Sequence, residues 1–265
     1  MIYINEEKLE QCKINKNNIC YIIDFDRTLT KENCEDSWDA VASKKIFGEE
    51  LAKELNNLYK KYGPIEVNYK IPFEEKEKYM IEWYQKCMET YYKFNLTKDK
   101  VEKSIKTSNI ELRTGVIEFL NFAKEEKIHI IILSAGIGNT IEEVLKQNEC
   151  YFENIHIISN FIKFDDEGYM LKHEGDLIHS LNKNIDKINQ KEIIDIVESK
   201  EYRIVIGDLI EDIKMAGDYP NDKLIKIGFL NQNVNENLEK YKERFDIVVT
   251  NESQDFELLK EIVKA

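Results

Sequence analysis

Short apolar runs recur at 128–133, 155–159, 203–206, 224–227 and 246–249, with amphipathic stretches of helical period at 114–126, 138–149 and around 191–199 between them. Such alternation builds a parallel sheet covered by helices on both faces. One further run, Ile19-Cys20-Tyr21-Ile22-Ile23, stands alone near the start of the chain. After it, Trp38, Val41, Phe47, Leu51, Leu55, Leu58 and Tyr59 repeat at helical spacing until Gly63-Pro64, which is expected to stop the helix. Residues 73–94 and the stretch behind Thr97, an expected N-cap, are helical in period as well. The expected fold is therefore α/β, a Rossmann-like, mainly parallel sheet with helices on both faces, interrupted after its first strand by an all-helical cap. Residues 1–34 and 110–265 form the core in this scheme and 35–109 the cap. Asp165-Asp166-Glu167-Gly168 between two short apolar runs reads as a hairpin over 161–171, and a helix is expected after the last strand.

Charge narrows the partners. The 265 residues carry 38 basic and 51 acidic side chains, a net −13, which argues against a general nucleic-acid binder because such affinity comes from neutralising phosphates. No stretch approaches the roughly 20 apolar residues of a membrane span, and residues 1–18 are too polar for a signal peptide. The cysteines, at 12, 20, 34, 87 and 150, are odd in number and lack CxxC spacing, as suits a reducing compartment. A cytoplasmic monomer acting on small molecules, with neither nucleic acid nor membrane as partner, is the expectation.

Asp24 and Asp26 close the isolated apolar strand. Two carboxylates about 4 Å apart at an effective dielectric near 20 repel by roughly 4 kcal/mol, so this strand end calls for a cation, a proton or both. In open α/β sheets the ligand crevice lies at such carboxyl ends, where strand order reverses. Ser134 ends the run Ile130-Ile131-Ile132-Leu133, so its hydroxyl and the next backbone N–H groups, beginning with Ala135, can face an anion at a helix N-terminus. Asp208 follows Val205-Ile206-Gly207, with Asp212 one helical turn later, and Lys183 sits in an otherwise unexplained Asn182-Lys183-Asn184. Gly207-Asp208 alone could be a helix cap and Lys183 alone a surface lysine. In this order on consecutive strand ends, the set describes phosphoryl transfer. Three carboxylates and a phosphate dianion need compensation, which a bound cation together with Lys183 would supply. The four histidines, 129, 156, 173 and 179, form no ligand cluster.

The ordered set resembles the haloacid dehalogenase superfamily of aspartate-nucleophile phosphatases. Ile65-Glu66-Val67, Glu74-Glu75-Lys76, Glu82-Trp83-Tyr84, Leu133-Ser134-Ala135-Gly136-Ile137-Gly138, Ser159-Asn160-Phe161, Asn182-Lys183 and Lys226-Ile227-Gly228-Phe229-Leu230-Asn231 are similar to the cytosolic pyrimidine 5′-nucleotidase III family, helical insert included. The resemblance implies that Asp24 attacks a pyrimidine or 7-methylguanine nucleoside 5′-monophosphate and that Asp26 is general acid and then base. It implies Mg²⁺ held by Asp24, the backbone carbonyl of Asp26 and Asp208, with Asp212 orienting a bound water or Lys183. Ser134, Ala135 and Lys183 are the implied phosphate binders. Glu66 would contact the base, Cys87 would take a base-pocket position where the family often has Ser, and Tyr84 or Trp83 would stack. Two positions depart from the family: Leu209-Ile210-Glu211 replaces small residues between the last two acids, and Arg27 stands where Met is common. A phosphatase for another phosphomonoester such as phosphoserine, or a non-catalytic nucleotide binder, is the alternative.

Overall fold

In the computed structural model, which describes residues 2–11, 15–68, 70–250, 256 and 259, seven strands form one sheet. They are β1 (Ile2–Ile4), β2 (Ile19–Ile23), β3 (His129–Ile137), β4 (Ile155–Asn160), β5 (Tyr202–Gly207), β6 (Leu224–Phe229) and β7 (Ile247–Val249), in the order β1-β7-β6-β5-β2-β3-β4. All neighbours are parallel except β1, which pairs antiparallel with β7. β2 is central, and its five residues are all buried. Their side chains alternate: Ile19, Tyr21 and Ile23 join the core on one face, Cys20 and Ile22 the core on the other. The chain leaves β2 for β3 and β4 on one side, then returns for β5 on the other. The carboxyl end of β2 is therefore the switch point, and Asp24 stands directly on it.

β1 and the helix α1 (Glu6–Gln11) behind it were not expected from the sequence. A three-residue edge strand is too short to show a period, and its pairing with β7, at the far end of the chain, has no local trace. Cys12 lies outside the described residues, as does most of the helix expected after β7. Within that stretch, Phe256 and Leu259 are buried, Phe256 against Phe119 and Phe229.

Between β2 and the next strand lie α2 (Ser37–Val41), α3 (Lys44–Phe47), α4 (Glu49–Glu66), α5 (Phe73–Lys93) and α6 (Lys98–Lys106). They bury their own apolar clusters, one around Leu51, Met88, Tyr91, Val101 and Ile105, another around Tyr62 and Met80. Gly63-Pro64 does not stop α4, which runs on to Glu66 with Pro64 inside it. An interior proline costs about 3 kcal/mol. Burying Tyr62 and much of Ile65 against Met80 and Leu181 offsets a cost of that size, at roughly 1.5–3 kcal/mol per large side chain. Thr97 does stand at the N-cap of α6, but its side chain makes no capping bond. The 161–171 segment forms single bridges, Phe164 to Met170 and Tyr169 to Thr97, rather than two full strands, because part of its pairing is spent on the start of α6.

α7 (Val116–Glu125), α8 (Gly138–Gln147), α9 (Lys191–Glu198) and α10 (Val234–Arg244) cover the sheet. β3 continues past Ser134 to Ile137, although its register against β4 shifts between Leu133 and Ile137. No described helix is long and apolar enough to cross a membrane.

Candidate active site

Four charged side chains from three separate chain segments meet at the end of β2. Asp24, 5% exposed, is fixed by its backbone N–H to the Ile206 carbonyl at 2.9 Å, and its carboxylate accepts from Lys183 Nζ at 2.9 Å and Thr28 Oγ1 at 3.2 Å. Lys183 is equally buried and also forms an ion pair with Asp212. Asp208 follows β5, its carbonyl held at 2.6 Å by the Tyr241 hydroxyl. Asp212 sits in the 3-10 turn Ile210–Ala216, where its Oδ2 accepts from Leu209 N–H at 2.9 Å. Gly207 lets that carboxyl approach, since a Cβ there would collide with it.

Carboxylate oxygens of Asp24, Asp208 and Asp212 lie within 4.8 Å of one another. Three carboxylates against one ammonium leave two negative charges, which one divalent cation balances. Asp212 Oδ1 faces Lys183 Nζ in an ion pair. A cluster of hard carboxylate oxygens with excess negative charge fits Mg²⁺. The carboxylates that meet are those of Asp24, Asp208 and Asp212; the ligands the resemblance implied were Asp24, Asp208 and the backbone carbonyl of Asp26. Burial pushes the Asp24 carboxyl up to about 6 against the pull of Lys183, and burial with Asp24 and Asp212 holds Asp208 well above the carboxylate range. Burial works against the charge on Lys183, but Asp212 and Asp24 outweigh it.

The Asp26 carboxylate accepts from the backbone N–H of Ser37 at 2.8 Å and from its hydroxyl at 2.5 Å. Burial and nearby Asp36 push it up to about 7, a value suited to giving and taking a proton near neutrality. Ser37 Oγ also accepts from Ile137 N–H at 3.1 Å and the Ser37 carbonyl accepts from Thr140 Oγ1 at 2.9 Å, so this residue ties α2 to the core beneath Asp26. Ser134 Oγ accepts from Gly136 N–H at 3.0 Å, which leaves its own proton for an anion. Gly136 is obligatory, because a Cβ would strike Ser37, Asp26 and Ser134.

A cavity of about 590 Å³ opens on these groups and extends under the helices. Asp24, Asp26, Ser134, Ala135, Lys183 and Asp208 line one end; Glu66, Trp83, Tyr84 and Cys87 belong to the same wall. Asp212 lies behind it, fully buried. Burial pushes the Glu66 carboxyl up. Tyr84 packs edge-on against Trp38, and Trp83 stacks on Tyr62. Burial, Asp36 and Asp39 push the Cys87 thiol up to about 12. Its thiolate is therefore scarce at pH 8, and iodoacetamide is expected to label Cys87 at least tenfold more slowly than free cysteine, whose pKa is about 8.5, as peptide mass mapping would show.

Sequence reasoning missed Ser37 and the support beneath Arg27. Arg27 has a left-handed φ of 61°, held by its N–H to Thr30 Oγ1 at 2.8 Å and by its carbonyl, which accepts from Arg113 Nη2 at 2.6 Å and Asn231 Nδ2 at 2.9 Å. The clamp places Arg27 on the cavity wall. Burial disfavours its charge, but Asp208, Asp36, Glu66 and Asp26 surround it and keep it cationic. Only Asn231, inside the run Lys226 to Asn231, carried a sequence signal.

Known proteins are similar to this chain in sequence and fold. The chain is 35% identical over 234 residues to the 7-methylguanosine phosphate-specific 5′-nucleotidase of Homo sapiens, a match covering 86% of this chain and 78% of the human one. A crystal structure of cytosolic 5′-nucleotidase IIIB bound to cytidine superposes with a TM-score of 0.85 at 29% identity, over 99% of this chain and 92% of that one. Phosphoserine phosphatase with a phospho-aspartyl intermediate analogue shares the fold, with a TM-score of 0.58 at 21% identity over 93% and 97% of the two chains. The sequence profile described as pyrimidine 5′-nucleotidase (UMPH-1) matches residues 26–265, from Asp26 through the helices over the cavity to the last residue. The chain belongs to the pyrimidine 5′-nucleotidase (UMPH-1) family.

Proposed function

We propose that this 5′-nucleotidase is a Mg²⁺-dependent enzyme that hydrolyses pyrimidine nucleoside 5′-monophosphates, and 7-methylguanosine monophosphate with them, through a phosphate ester on Asp24. The observation that carries the reading is a single cavity with the Asp24–Lys183 pair at one end and Glu66 among aromatic rings in the same wall. A nucleotide in this cavity can offer its phosphate to Lys183 and its base to Glu66 and the rings. The names of the human relative and of the cytidine-bound structure support both kinds of base.

An Asp24 oxygen forms a bond to phosphorus as the bond to the 5′ oxygen breaks, and Asp26 gives that oxygen its proton. Water then attacks the acyl phosphate, Asp26 takes the water's proton, and Asp24 is freed with phosphate. Lys183, the Ser134 hydroxyl and the Ala135 N–H hold the phosphoryl oxygens. Asp24, Asp208 and Asp212 would hold Mg²⁺, with the carbonyl of Asp26 beside them, and Mg²⁺ bound there would draw negative charge off the phosphoryl group. Residues 35–109 act as a cap that excludes water and reads the base. Glu66 accepts from an exocyclic amine and Tyr84 or Trp83 stacks. The enzyme works as a monomer, and in the cytoplasm, where its four described cysteines would stay unpaired as they are here.

Kinetics with CMP, UMP, 7-methyl-GMP, AMP and phosphoserine in Mg²⁺ test this. The first three should be turned over, with phosphoserine at least a hundredfold poorer in kcat/KM. Glu66→Ala is expected to lower kcat/KM for CMP by roughly tenfold to a hundredfold, the size of one or two lost polar contacts, while changing UMP less. Unchanged preference in that variant would remove Glu66 from base recognition, and efficient phosphoserine turnover would overturn the nucleotide reading.

A further inference from the structure

One face of α5 runs from the cavity to the turn that follows Asp208. Lys76, Met80, Trp83, Tyr84 and Cys87 follow helical spacing and share a side. The third and fourth turns, through Trp83, Tyr84 and Cys87, line the nucleotide cavity. The second packs Met80 in a cluster with Leu181, two residues before Lys183. The first turn reaches the 3-10 turn that follows Asp208. There Lys76 Nζ lies 3.3 Å from Glu211 Oε1, with side chains 4% and 15% exposed, and Lys214 Nζ stands 3.5 Å above the Phe73 ring.

A lysine this buried needs its counter-charge kept in place. Here an acid from the core supplies it, 135 residues away in the chain. Glu211 lies between Asp208 and Asp212, and its neighbour Asp212 ties the same turn down by accepting from Leu209 N–H. α2 is already fixed to the core on the opposite side, by Ser37 beneath Asp26 and by Trp38 Nε1 on the Ala135 carbonyl at 3.1 Å. Asp24 and Lys183 line the cavity beneath this helical cover, so the seating of the helices shapes the space in which a phosphate meets them.

We propose that Lys76 and Glu211 are positioning residues that hold the 208–212 turn against the first turn of α5, so that seating the helices and aligning the acidic triad are one event. The proposal rests on the phosphatase reading only for the kinetic arm of its test. Loss of the pair loosens both elements in the protein without metal. It also weakens nucleotide binding, because substrate must now drive the seating itself.

Hydrogen exchange on the metal-free protein supplies a readout independent of activity. Glu211→Gln and Lys76→Met are each expected to speed exchange at least fivefold in both the first turns of α5 and the 208–216 segment. Each should raise KM for CMP three- to tenfold with kcat within twofold of the wild type. The double variant should be no worse than the worse single, and Lys76→Arg, which keeps the charge, should retain wild-type KM and exchange. Exchange unchanged in α5 in Glu211→Gln, or multiplicative effects in the double variant, would overturn the proposal. If Lys76→Met fails to fold, Glu211→Gln and Lys76→Arg decide the matter. A wild-type protein inactive on every nucleotide would sink the substrate reading and leave the exchange arm standing.

Discussion

Asp24→Asn lowers kcat/KM for CMP by about 10⁴-fold or more while the protein stays folded, because the amide keeps the shape of the carboxylate and loses its nucleophilicity. Lys183 Nζ donates to one carboxylate oxygen and Thr28 Oγ1 to the other, so the single amide oxygen can keep the Lys183 contact while the amide NH₂ donates to the Thr28 hydroxyl instead. One of three mutually repelling carboxylates is also removed, so without metal the variant should melt no lower than the wild type and its melting point should rise less on adding Mg²⁺. Steady-state kinetics and thermal melts with and without Mg²⁺ check both halves. A residual kcat/KM within tenfold of the wild type would remove Asp24 from the reaction.

Lys183→Met carries the second large effect and acts on stability as well as rate. Lys183 is the one cation that both Asp24 and Asp212 contact among the described residues, and all three side chains are buried. Removing one member of a buried ion pair typically costs about 3–5 kcal/mol, since the remaining charges stay desolvated and unpaired. A fall in metal-free unfolding free energy of that order is expected, with partial recovery in Mg²⁺ as the divalent ion takes up the excess negative charge. On the rate, loss of a preorganised cation facing the phosphoryl oxygens should lower kcat/KM by roughly 10²–10³-fold. Denaturant unfolding in EDTA and in Mg²⁺ reads the first effect, and kinetics the second. A variant as stable as the wild type in EDTA would mean that Lys183 does not hold the acids together.

The parts of this molecule that could be read from its sequence have local causes. β2 is buried on both faces, so an unbroken apolar run announced it, and the acids at its end stood out because a strand end in a core tolerates them poorly. The order Asp24, Ser134, Lys183, Asp208, Asp212 survived because a doubly wound sheet brings successive carboxyl ends to one edge. Contacts made across long separations left no such trace. Ser37 reads as an ordinary serine at the start of a helix, yet it fixes the orientation of Asp26. Arg113 and Asn231 clamp the backbone of Arg27 from 86 and 204 residues away. Pro64 misled because the burial of Tyr62 beside it is a tertiary effect that outweighs a local preference. Asp212 entered the acidic triad for a similar reason: a tight 3-10 turn, with Gly207 leaving room, brings its carboxylate beside Asp24.

The central claim is that phosphorus passes through the side chain of Asp24. Acid quenching of the enzyme within its first turnover of phosphorus-32-labelled CMP, followed by peptide mapping, tests it most directly. The account predicts label on the peptide that carries Asp24, chased by unlabelled substrate and missing in Asp24→Asn. Label found only as free phosphate at every quench time, or on a peptide without Asp24, would contradict it.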